Sequence, residues 1–202
     1  MDLTLATAIK KALGTYPLVR DKYYGDVFAS VYDFLDTGKR KTTFKNDIRR
    51  GMADAFVDAA DIAWADAGAE LPLDGDTLAW LAMQQEAEFG FIDVLFQHLK
   101  DLKKVEGVDK TATATARADG YTRTLDRIYN YVKIAAAGSK MLTFAGDDGA
   151  MSCTDCQRYK GKRHKASWWI ANDAVPPNRN FECGGWQCYH VLVDDQGNVW
   201  TL

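Results

Sequence analysis

Long apolar runs are missing from this chain: none approaches the roughly 18 residues that a membrane-spanning helix requires, so no membrane contact is expected. The opening MDLTLATAIKKALG spaces Leu5, Ile9 and Leu13 by four, and Lys10 and Lys11 break any stretch long enough for a signal peptide. The expectation is a surface helix on a protein made in a reducing cytoplasm. An excess of charge is missing too. With 25 basic and 28 acidic residues the net charge is −3, which excludes the whole chain as a polyanion binder and makes any basic function local. Repeats and low-complexity tracts are absent apart from a short Thr-Ala alternation at Thr111 to Thr115. Cysteine is scarce, at 4 in 202 residues, yet all four fall in the last quarter, with two of the 3 histidines.

What is present suits a folded, mostly helical body. The chain is 47% hydrophobic and 12% aromatic, ample for a buried core. Tyr24, Val27, Phe28, Val31, Phe34 and Leu35 form one helical stripe, stopped by Gly38. Phe44, Ile48, Met52, Ala55, Phe56 and Ala59 form a second, with Thr42 or Thr43 placed to cap it. LPLDGDTL reads as a loop ending in an Asp76 or Thr77 cap. Leu78, Leu81, Ala82, Phe89, Ile92, Phe96 and Leu99 then predict a long helix with a bend near Gly90. Tyr121, Leu125, Ile128, Val132 and Ala135 predict a fourth, stopped by Gly138, and the Thr-Ala run before it gives no clear helical signal.

After Gly138 the pattern changes. Residues 138 to 149 read as turns, and VLV and VWTL around DDQGN read as a closing hairpin. The fold class is therefore mainly α, a helical domain over 1–145. A small α+β cysteine-rich unit of zinc-knuckle type follows over 146–202, ending in a β-hairpin.

Cys153 and Cys156 have the two-residue gap that lets two sulfurs of one turn face one cation. Cys183, Cys188 and His190 follow after 26 intervening residues. Four ligands from two turns would assemble a structural zinc site, and Gly184 and Gly185 would allow the left-handed turns it needs. Such a site contributes on the order of 10 kcal/mol to folding, which suits a unit with little core. A disulfide, a redox pair and buried unligated thiols are the competing readings. His164 is a weaker candidate ligand, lying in a basic run, and His98 is given no role.

Enzyme chemistry finds no support in the same residues. A nucleobase deaminase needs His-x-Glu ahead of Pro-Cys-x-x-Cys, but His164 precedes Lys165 and Ala166, and Pro177 precedes no such pair. Cys188 and His190 resemble a nucleophile and base without a third group or an oxyanion hole. A zinc-finger nuclease would need an Asp-His or His-His pair, which is absent. The expectation is a non-enzyme. The run QRYKGKRHK places Arg158, Lys160, Lys162, Arg163 and Lys165 within nine positions, ahead of Trp168 and Trp169. It is readable as a nucleic-acid patch or as a solvated loop whose indoles pack inward.

The order of these motifs resembles the C-terminal half of phage minor head proteins of the head-morphogenesis family, the Mu F-like and SPP1 minor head protein-like group. An Arg- and Tyr-rich helix runs into CTDCQRYKGK and then PPNRNFECGGWQCYH. Cys153, Cys156, Gly161, Lys162, Pro176, Pro177, Gly185, Trp186, Cys188 and His190 stand at the family's places, over roughly residues 112 to 193. Tyr189 replaces the usual Arg before the last His, and Tyr159 replaces an aliphatic residue. The resemblance implies a virion or procapsid component, assembled in the host cytoplasm, whose partners are the portal or major capsid protein and, as a further contact, packaged DNA.

Overall fold

The structure, a computed structural model, describes residues 15–38, 41–146, 152–184 and 190–202. The predicted helix over the first 14 residues lies outside them, as do Gly185, Trp186, Cys188 and Tyr189. Four long helices come first: α1 Tyr16–Thr37, α2 Lys41–Asp66, α3 Gly75–Leu102 and α4 Lys110–Ala136. The mainly α class with a small strand-bearing C-terminal region is what the sequence led us to expect. After α4 come β1 Met141–Ala145, α5 Thr154–Tyr159, β2 Arg163–Lys165, α6 Ala166–Ala171 and β3 Val191–Val193. Two compact units result. One holds the described residues up to Ala59 with Leu73–Leu125, and the other holds Ala60–Pro72 with Asp126–Leu202.

The ends of the helices follow from their local chemistry. Helix α1 carries Pro17 in its first turn, where an amide proton has no helical partner, and stops at Gly38. That glycine takes the left-handed conformation (φ 75°) and donates its N–H to the Phe34 carbonyl. Val27, Val31, Phe34 and Leu35 of the expected stripe are buried, and Tyr24 and Phe28 are half-buried at its edge. Tyr16, Val19, Tyr23 and Val27 face the core, while Tyr24, Phe28 and Tyr32 stack on one another along the flank at 6.0–6.4 Å. Thr42 and Thr43 sit inside the first turn of α2 and are not caps. Helix α3 is capped by Asp74, ahead of the expected Asp76 or Thr77, through its carboxylate accepting the Thr77 N–H at 2.8 Å. It runs through Gly90 without a break, and Leu78 and Ala82 face solvent. Asp109 accepts the Ala112 N–H at 2.9 Å and starts α4, so the Thr-Ala run is helical after all.

In the first unit Phe34, Phe44 and Phe96 meet with ring centroids 5.1, 5.1 and 5.8 Å apart. Each helix in this triangle presents an apolar stripe at three- and four-residue spacing, and the rings interlock where three stripes converge. Asp93 pairs with Lys45 and Arg49 at the rim of this core. Lys110 binds Asp36 at 2.7 Å.

The second unit is built on a three-stranded antiparallel sheet in the order β2-β1-β3. Residues 141–145, read from the sequence as turns, form its central strand. The alternation in MLTFA is real but only five residues long. It buries Leu142 and Phe144 on one face while Met141, Thr143 and Ala145 stay half-buried on the other. Register pairs Leu142 with His164 and Phe144 with Leu192, so one face of all three strands is the core face. Ile134, Ala166, Trp169, Ala174, Val175 and Phe181 close over it. Trp169 is fully buried, and its indole N–H donates to the Leu142 carbonyl at 3.2 Å. Buried Asn130 donates to the Pro176 carbonyl and accepts the Leu202 N–H, tying two loops to α4. The closing hairpin forms as expected: Val193 bridges Val199, and the Trp200 N–H donates to the Leu192 carbonyl.

Candidate metal centre

Cysteine positions are set by two short segments. The CTDC turn enters α5, with Cys153 in extended backbone just before it and Cys156 one turn in, so both sulfurs lie on one side. Opposite stands the turn after Phe181. There the Gly184 N–H returns to the Phe181 carbonyl at 2.7 Å, with Gly184 itself at φ 60°. A side chain there would be strained, so glycine lets Cys183 turn back toward the first pair. The outcome is a cluster: the sulfurs of Cys153, Cys156 and Cys183 all lie within 4.8 Å of one another.

No disulfide joins these three. Around a tetrahedral zinc with bonds of about 2.3 Å the sulfurs would stand about 3.8 Å apart, so a small contraction seats the ion. Cys156 is buried and Cys153 and Cys183 are half-buried against the aromatic core, a setting that keeps water off a metal–sulfur bond. Burial raises the Cys153 thiol. Backbone N–H groups of Cys156 and Cys183 aimed at its sulfur, and the two neighbouring thiols, outweigh burial and bring it below the ordinary thiol range. Hydrogen bonds to sulfur favour thiolate, the form a metal requires. All three donors are soft, which suits zinc and other thiophilic ions over magnesium or calcium.

The two segments are also fastened to each other by a pair of carboxylates that sequence reading passed over. Glu182 accepts the Thr154 N–H at 2.9 Å, and Asp155 accepts the Glu182 N–H at 2.9 Å. Hydrogen bonds from the Thr154 backbone N–H and side chain hold the Glu182 carboxyl below its usual range. Acidic residues beside both cysteine segments were the available signal.

The remaining candidates are placed differently. Cys188 lies outside the described residues. His190 is described and is not part of the sulfur cluster. It is buried, stacks on Phe144 at 5.2 Å, and lies against Gly146. His164 stacks on Trp168 at 3.7 Å, and His98 is exposed on α3. In the basic run Arg163 forms a two-point ion pair with Asp195 at 3.0 and 2.5 Å. Arg158 and Lys162 lie over the Tyr159 ring at 5.6 and 5.8 Å, Lys160 is half-buried, and Lys165 is exposed. Among the described residues no helix is long and apolar enough to cross a membrane. Compared with models of known families, with curated proteins and with solved structures, the chain matches none.

Proposed function

We propose that this chain is a minor head protein of a tailed phage, a structural component acting in head morphogenesis, whose C-terminal unit is fastened by one zinc ion. The observation that carries this reading is the convergence of Cys153, Cys156 and Cys183 from two segments 26 residues apart in sequence. Cys153 and Cys156 are residues by which the chain resembles that family, and Cys183 lies between them and the family-like ending at Cys188 and His190. Cys188 supplies the fourth ligand, since it is the remaining thiol of the second segment and His190 is engaged in the aromatic core. Four protein ligands leave a zinc ion no open position, so the metal holds shape and does no chemistry. The protein acts by contact, on the portal or major capsid protein, in the procapsid and virion.

A nucleic-acid-binding module is the weaker reading. Trp169 is inside the core, one face of Trp168 is covered by His164, and Arg163 is held by Asp195, which leaves little of the run for phosphate and base stacking. Neutralising Lys160, Lys162 and Lys165 together should leave particle incorporation unchanged. DNA affinity that falls steeply with salt and collapses in that variant would favour the module. The function itself is tested by mass spectrometry of density-banded particles from the source lysate. Peptides of this chain should travel with DNA-filled heads or with procapsids, and their confinement to the particle-free fraction would contradict the assignment.

A further inference from the structure

We infer that Asp155 and Glu182 are positioning residues of the metal centre, a reciprocal clasp that sets the distance between the two cysteine segments before any ion arrives. The inference rests on the zinc reading above and deepens it. Each carboxylate sits next to a cysteine and reaches across to the other segment. Glu182, adjacent to Cys183, takes the N–H of Thr154, adjacent to Cys153. Asp155, adjacent to Cys156, takes the N–H of Glu182 itself. Both hydrogen bonds measure 2.9 Å and join the same two turns in opposite senses, so neither segment can slide or tilt without breaking one. Charge-assisted bonds of this kind are shorter and stronger than neutral ones.

The geometry also explains which amide protons are left for sulfur. With the Thr154 and Glu182 N–H groups taken by carboxylates, the N–H groups of Cys156 and Cys183 point at Cys153 Sγ, one from each segment. Three sulfurs then stand within 4.8 Å of one another. Neither carboxylate oxygen belongs to the sulfur cluster, so the role is exerted through the cysteines and not on the ion.

The test uses the full chain stripped of metal and titrated with cobalt(II), read by the sulfur-to-cobalt charge-transfer absorption, with zinc displacing cobalt to give relative affinities. Glu182→Ala and Asp155→Ala should each weaken binding by about 10- to 100-fold, the usual effect of losing a group that orients a metal ligand. Glu182→Gln and Asp155→Asn keep an oxygen that accepts the same N–H, and should stay within about threefold of the parent. Rescue by the amides separates positioning from simple attraction between carboxylate and cation, which the amides would abolish. Parent-like affinity in both alanine variants would overturn the clasp while leaving the metal site intact, and so would amide variants as weak as the alanine ones. No charge-transfer band in the parent chain would overturn the metal reading itself. Should an alanine variant lose its helical circular dichroism, the amide variants alone decide by the same threefold limit.

Discussion

Gly146 follows the central strand and lies directly against His190. A Cβ built there would sit within 2.7 Å of His190 Cδ2 and Cγ, so the buried ring must shift, and 3.0 Å from its Cα, where the backbone must give slightly as well. Gly146→Ala should therefore cost about 1–3 kcal/mol, the range for overpacking a filled site. Thermal unfolding followed by circular dichroism should show a midpoint several degrees lower, and an unchanged midpoint would mean that the two segments separate easily. Asp194 offers a pH-dependent counterpart. Its carboxylate accepts the Trp200 indole N–H and the Asn198 side-chain and backbone N–H groups, with the Gln196 N–H as well, and these hold its pKa down to about 2. A depressed carboxyl stabilises the folded hairpin at every pH above the ordinary value of 3.8, and the contribution is lost as pH falls through about 2. The Trp200 indole proton, followed by NMR, should shift with a midpoint near 2. A midpoint near 4 would mean that these hydrogen bonds do not form in solution.

Among the elements, the helices were legible because their apolar residues recur over 20 or more positions, enough to define a face. Their ends were less so. The α3 cap falls on Asp74 because only that carboxylate reaches the Thr77 N–H, and the neighbouring Asp76 and Thr77 look equally suitable in a string of letters. Asp74→Ala should cost about 1 kcal/mol, measured as a lower denaturant midpoint at unchanged slope. No change would mean that α3 is held wholly by packing. Strand β1 escaped notice for a different reason. Five residues beginning after a glycine stop and ending at Gly146 carry too few alternations to stand out from a turn, and it is partners 20 and 50 residues away, β2 and β3, that make MLTFA a strand. The hairpin was readable because its signal is local: apolar triplets flank a DDQGN turn whose Gly197 adopts φ 81°.

At the scale of the whole molecule, composition separated a helical part from a cysteine-rich part, and spacing picked out Cys153, Cys156, Cys183, Cys188 and His190 as candidates to meet, of which Cys153, Cys156 and Cys183 come together. What spacing could not convey was the setting. The cysteine-rich unit is better filled than its short strands suggest, with Phe144, Trp169, Phe181 and Leu192 buried among the neighbours of the sulfurs. His190 draws attention as a ligand by following Cys188 two residues on, and the structure buries it with its ring stacked on Phe144. The clasp of Asp155 and Glu182 depends on the same long-range meeting and carries no periodic signature. A unit that already has a core can hold its shape in part without metal, and on the proposed reading a zinc ion would lock the meeting of two turns instead of creating it. The measurement closest to this claim is the metal content of the chain purified without added metal. About one zinc per chain, falling to none in Cys156→Ser while the helical circular dichroism stays, is the expected result. Absence of zinc, with the thiols reactive and the fold undisturbed, would contradict it.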